Sequence, residues 1–93
     1  MRRIEPTNAF KRDYRRAKAA PKHRDIDTLL SEVLKQLAVN SPLPERHRDH
    51  SLTGDWKDHR DCHIKPDLVL IYRNPSDEVL QLVRLGSHSE LGL

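Results

Sequence analysis

The stretch His59-Arg60-Asp61-Cys62-His63-Ile64-Lys65-Pro66-Asp67-Leu68-Val69-Leu70-Ile71-Tyr72 decides how this chain folds. Its first half reads as an extended strand, in which successive side chains point to opposite faces. His59, Asp61 and His63 then share one face, and Arg60, Cys62 and Ile64 the other. The second half, Leu68 to Tyr72, is apolar and β-branched enough for a buried strand. Ile64-Lys65-Pro66 suits a tight turn between them, because proline fixes φ and cannot serve a central ladder. That turn would put His63 directly across from Asp67. A histidine and two acids on one strand face make a candidate site for proton chemistry.

The sheet extends in both directions from this pair. Strands are predicted over roughly 57–64, 67–73 and 79–87, with Asn74-Pro75-Ser76-Asp77 as the second turn. Short connections make them an antiparallel meander. Arg2 to Glu5 suits a short first strand. Thr7 is a good N-cap after Pro6, and a helix follows to about Ala20 with Phe10, Tyr14 and Ala17 as its apolar stripe. Asp25 can cap a second helix, in which Ile26, Leu29, Leu30, Val33, Leu34 and Leu37 keep strict helical spacing. Two helices so closely linked should form a hairpin, and its stripe has only the sheet to bury against. The expected architecture is α+β in two layers, with residues 1–93 as a single domain. Residues 40–56 show little periodicity; so long an irregular segment tends to be functional, and this one delivers His47 and His50.

Composition narrows the classes. A single domain of 93 residues buries roughly 60–65% of its unfolded surface, and with 35% apolar and 33% charged residues its core calls for a partner's cover. The one cysteine excludes an internal disulfide and, with no apolar leading run, points to a reducing cytoplasmic setting. No stretch is apolar enough for a membrane span. Residues 1–50 carry twelve Lys/Arg against seven Asp/Glu, and residues 51–93 five against seven. Lys11, Arg12, Arg15 and Arg16 cluster on the first helix. Such a block reads as a footprint for phosphate or an acidic partner, or as a solvated face.

RNA carries its own nucleophile, the 2′-hydroxyl. Cleavage by that route needs a base near the 2′-oxygen, an acid near the 5′-leaving oxygen and positive charge at the phosphate; no metal is required. Histidine suits both proton roles near neutrality. His50, His63 and His88, with Asp67 or Asp61 as orienting or proton-accepting group, would supply them. Arg84 and Lys57 would stabilise the phosphate charge. Set against these, His23 and His47 read as ordinary polar residues, Asp49, Asp55 and Asp58 as loop or cap residues, Trp56 as packing for a sheet edge, and Cys62 as core. A metal site on His59-X-Asp61-X-His63 matches none of the familiar zinc spacings, so no metal ligand or cofactor is expected.

Taken together, Pro42-Leu-Pro44, Asp49-His50-X-Leu52-X-Gly54-X-Trp56-Lys57, Arg60-Asp61-X-His63-Ile64-X-Pro66-Asp67, Leu70-Ile71-Tyr72 and Gly86-X-His88 resemble the YafQ toxins, a branch of the RelE/ParE superfamily of toxin–antitoxin modules. The match covers essentially the whole chain and is densest from Asp49 onward. The resemblance implies a RelE-like fold, a mostly antiparallel sheet with two N-terminal helices packed on it. It implies an mRNA endoribonuclease acting in the ribosomal A site, neutralised by a cognate antitoxin, in a complex that represses its operon DNA through the antitoxin. It matches the family's catalytic positions to His50, His63, Asp67 and His88, with Asp61 at a further position implicated in activity. One departure stands out. Relatives commonly carry an aromatic residue four positions after the last histidine, to place the RNA base; here that position is Gly92, with Leu91 and Leu93 as substitutes. The basic helix would contact ribosomal RNA or an acidic antitoxin segment.

Two other functions suit the same fold. One is a non-enzymatic gyrase inhibitor like the ParE branch, which has no need of the histidine–aspartate set. The other is a degenerate toxin kept as an antitoxin-binding subunit.

Overall fold

The computed structural model describes all 93 residues. A five-stranded sheet carries β1 (Arg3–Pro6), β2 (His50–Ser51), β3 (Arg60–Lys65), β4 (Leu68–Ser76) and β5 (Val79–Gly86). Its spatial order is β1-β5-β4-β3-β2, with β1 parallel to β5 and every other pair antiparallel. Helices α1 (Asn8–Ala19) and α2 (Ile26–Ala38) follow β1, and a single turn, α3 (His88–Leu91), follows β5. The α+β architecture and the RelE-like topology are as the sequence led us to expect.

The helices form where local chemistry starts them. The Thr7 hydroxyl accepts the Phe10 amide at 3.1 Å and donates to the Val83 carbonyl at 3.0 Å, so one side chain caps α1 and ties it to β5. Phe10, Ile26, Leu30, Val33 and Leu37 pack with Cys62, Ile64, Leu70, Tyr72, Leu80, Leu82 and Leu85 in one core between helices and sheet. Tyr14 and Lys18 of α1 both bond the Asp27 carboxylate of α2.

The opposite face is not bare. Val69 and Ile71 pack there with Leu91 of α3, flanked by Leu52, Trp56 and Val83. This is why Leu68 to Tyr72 is apolar without alternation: β4 is buried on both sides.

Four expectations are corrected. Strand β3 runs through Lys65, pairing His63 with Val69, and the turn is Pro66-Asp67. A shift of register at Ile64 absorbs the extra residue, so Asp67 sits at the turn and not across from His63. The second turn is Asp77-Glu78; Asn74 and Pro75 stay within β4, where an irregular register accommodates a residue without an N–H. The strand expected from Lys57 begins only at Arg60, because Gly54–Trp56 coils into a short 3-10 turn. Asp25 stands at the N-cap of α2 without capping it, its carboxylate drawn instead to Lys65 at 2.6 Å.

Candidate active site

Three elements of the sheet and its borders bring the site together. Strand β3 contributes Asp61 and His63 from one face, while Cys62 and Ile64 point into the helical core. Strand β2 lies beside it, with His50 in register with Asp61. Helix α3 begins at His88, fixed by a reciprocal capping box between Ser87 and Glu90. Gly86 makes this possible, since a Cβ there would come within 3.1 Å of the Glu90 carboxylate. His50, Asp61, His63 and His88 line one hollow together with Arg48, Leu52 and Leu93.

The histidines are held differently. His88 Nδ1 donates to Asp67 Oδ1 at 2.7 Å, and the His88 backbone N–H donates to the same oxygen at 3.0 Å. These two bonds hold the Asp67 carboxyl below its ordinary range. They also leave His88 Nε2 as the ring nitrogen without a protein partner. The His63 ring packs edge-on against His88, centroids 4.9 Å apart and planes at 75°. Burial, with the charges of His88, Arg48 and His50, pushes the His63 imidazole below its ordinary value, against the opposing pull of Asp61. His50 Nδ1 donates to the Arg48 carbonyl at 2.7 Å. Asp61 Oδ1 lies 3.0 Å from that same nitrogen but out of line for a hydrogen bond, which leaves a buried carboxylate oxygen without a donor. Burial raises the Asp61 carboxyl, and His50, His63 and His88 partly offset the rise.

The structure therefore gathers His50, Asp61, His63, Asp67 and His88 at one end of the sheet. It does not bring in Arg84. That guanidinium donates from Nε to Asp13 Oδ2 at 2.6 Å, because a bulge in β5 at Val83-Arg84 turns the side chain toward α1. Asp13 is buried and also accepts the Leu85 amide at 3.0 Å; in the sequence it is one acid within a basic run, with nothing local to mark it. Lys57 is exposed and lies outside the hollow, as do Lys11, Arg12 and Arg15; Arg16 bonds Asp13 and Glu90. His59 lies ahead of β3, edge-on to Trp56, so the three-residue metal face is not formed; no three His, Cys, Asp or Glu side chains converge to hold an ion. Leu91 is in the core and cannot stand in for the missing aromatic, whereas Leu93 reaches the hollow.

His47 and Asp49, ordinary polar and loop residues by sequence, are structural parts of the site. His47 Nδ1 donates to the His63 carbonyl at 2.6 Å. Asp49 accepts the Tyr72 hydroxyl at 2.5 Å and Arg60 Nε at 3.3 Å, anchoring the segment that carries Arg48 and His50. The adjacency of Asp49 to His50 was the only signal for it in the sequence.

A mixed five-stranded sheet with two helices on one face is the fold of the small RelE-like toxins, and here a histidine–aspartate cluster sits at one end of that sheet. More closely, the chain belongs to the YafQ family: residues 2–92 match the family described as a bacterial toxin of type II toxin–antitoxin systems, YafQ. The mRNA interferase toxin YafQ of Escherichia coli is 37% identical, over 98% of this chain and 96% of its own. The toxin in the crystal structure of the E. coli DinJ–YafQ toxin–antitoxin complex superposes with a TM-score of 0.81 at 36% identity, covering 97% of this chain and 96% of that one. A metal-bound toxin from Helicobacter pylori superposes with a TM-score of 0.82 at 42% identity, covering 98% and 99%.

Proposed function

We infer that this toxin is an mRNA interferase that cuts RNA by acid–base attack of the 2′-hydroxyl, without a metal ion. The observation that carries the mechanism is the unequal pair His63 and His88, ring against ring in one hollow. His63, biased toward its neutral form, takes the 2′-hydroxyl proton. His88, held by its Nδ1–H bond to the Asp67 carboxylate at 2.7 Å, gives a proton from Nε2 to the 5′-leaving oxygen. Asp61 and His50 orient the attacking side. The 2′-oxygen forms its bond to phosphorus as the bond to the 5′-oxygen breaks, so the products are a 2′,3′-cyclic phosphate and a 5′-hydroxyl.

The activity follows the name of the E. coli relative, with which the chain shares nearly its full length. Its partners are a cognate antitoxin, by likeness to the DinJ–YafQ complex, and mRNA held in the ribosomal A site. The toxin–antitoxin complex binds operator DNA through the antitoxin. No helix is long and apolar enough to cross a membrane, and a cytoplasmic location fits a target on the ribosome.

Primer extension on a defined mRNA in a reconstituted translation reaction tests this reading, with and without ribosomes and with EDTA added to the naked RNA. Codon-phased cuts that require ribosomes are expected. Cutting of naked RNA that EDTA abolishes would replace the mechanism with a metal-dependent one.

A further inference from the structure

The proposed reaction needs a positive charge at the phosphate; Lys57 lies outside the hollow, and the cations of the neighbouring strands are committed elsewhere. Arg84 is bound to Asp13 at 2.6 Å, Arg60 to Asp49 at 3.3 Å, and Lys65 to Asp25 at 2.6 Å. We propose that the Arg48 guanidinium is the binding site for the scissile phosphate. This rests on the reading of the site as an RNA-cutting one.

Position is the first argument. Arg48 lines the hollow of His50, Asp61, His63 and His88, and also the adjoining hollow of His47, His63, Lys65 and His88. It therefore stands where the two meet, beside both histidines proposed to move protons. Arg46 and Glu32 belong to the second hollow alone. The Arg48 side chain is exposed and forms no ion pair, so its donors are free for a ligand. The one carboxylate of the first hollow, Asp61, is buried with His50 at 3.0 Å, which leaves Arg48 as the hollow's exposed fixed charge.

The backbone supplies the second argument. Arg48 adopts the left-handed conformation, φ 48° and ψ 44°, which is uncommon for a residue with a branched or long side chain and persists where neighbours hold it. Those neighbours are identifiable. Its N–H donates to the Glu45 carbonyl at 2.9 Å, its carbonyl accepts His50 Nδ1 at 2.7 Å, and Asp49 is clamped by Tyr72 and Arg60. Arg48 and His50 are thus fixed as one unit against the sheet. The Arg48 charge is also among those that push the His63 imidazole down.

Chemistry supplies the third. As the 2′-oxygen adds to phosphorus, the diester's single negative charge grows on its non-bridging oxygens. A guanidinium meets two such oxygens in a fork, and one that is already in place strengthens as that charge develops. Arg48 transfers no proton; His63 and His88 do that.

Arg48→Gln and Arg48→Lys, with Lys35→Gln as a control for loss of charge far from the hollow, are compared in the ribosomal cleavage reaction. The same proteins are titrated with inorganic phosphate while the His63 and His88 ring resonances are followed. Arg48→Gln is expected to lower the single-turnover rate about 10²-fold, Arg48→Lys to fall between it and wild type, and Lys35→Gln to match wild type. Phosphate is expected to shift the ring resonances in wild type and not in Arg48→Gln. Arg48→Gln cutting within about threefold of wild type, or phosphate shifting both proteins alike, overturns the assignment. If wild type itself cuts no message, the interferase reading falls and the titration alone decides the phosphate site.

Discussion

Individual side chains of the hollow carry opposite demands. His63→Ala or His88→Ala removes general acid–base help worth roughly 10²–10⁴ in rate and leaves the fold intact; cleavage assays and circular dichroism of the same preparations check both halves. Asp61 behaves differently, because burial raises its carboxyl above the ordinary value of 3.8. Its ionised form costs the native state stability at neutral pH, and that cost disappears as pH falls through the raised value. Asp61→Asn should therefore raise the melting temperature at pH 7, lower the cleavage rate, and lose its stability advantage on acidification. His63 has the opposite linkage. Its folded value lies below 6.5, so it contributes stability that is present above 6.5 and is lost as pH falls through the lowered value. The acid limb of the cleavage profile should accordingly have its midpoint below pH 6.5. A midpoint above 6.5 would count against His63 as the base.

Elements hold these side chains by a few specific ties. Asp13 of α1 is the main one between the helical layer and β5, taking Arg84, Arg16 and the Leu85 amide. Those partners hold its carboxyl low despite burial, so its contribution is present at neutral pH and is lost as pH falls below the carboxylate range. Asp13→Ala leaves Arg84 without its counter-charge and should cost about 3 kcal/mol, read by urea unfolding. The turn α3 depends on its capping box. Ser87→Ala should cost about 1 kcal/mol of stability and reduce cleavage by loosening His88, with the Asp67–His88 bond weakened in the His88 ring shifts. Much at this scale was legible in the sequence. Thr7 as a cap, the spacing from Ile26 to Leu37 and the apolar run of β4 each obey a local rule. What was not legible depends on long-range geometry. A register shift at Ile64 moved Asp67 into a turn, and a bulge at Arg84 turned that side chain to a residue 71 positions away.

The whole molecule divides its labour between the two faces of the sheet. One face, with α1 and α2, supplies most of the core, and the far end of the sheet carries the hollow. The five proposed site residues could be named from sequence because histidines and acids recur at positions that resemble a known family. Their hydrogen-bond roles could not, since Asp67 and His88 meet only once β4, β5 and α3 are in place. Arg48 was invisible for the same reason, one arginine among many until the fold left it unpaired beside two histidines. The central claim concerns what the hollow does to RNA, and the nucleotide itself is its most direct test. A message with a single 2′-deoxynucleotide at the cut codon should survive wild-type protein on the ribosome, while the unmodified message yields a 2′,3′-cyclic phosphate end. Equal cutting of both messages would show that the 2′-hydroxyl is not the nucleophile and would contradict the mechanism.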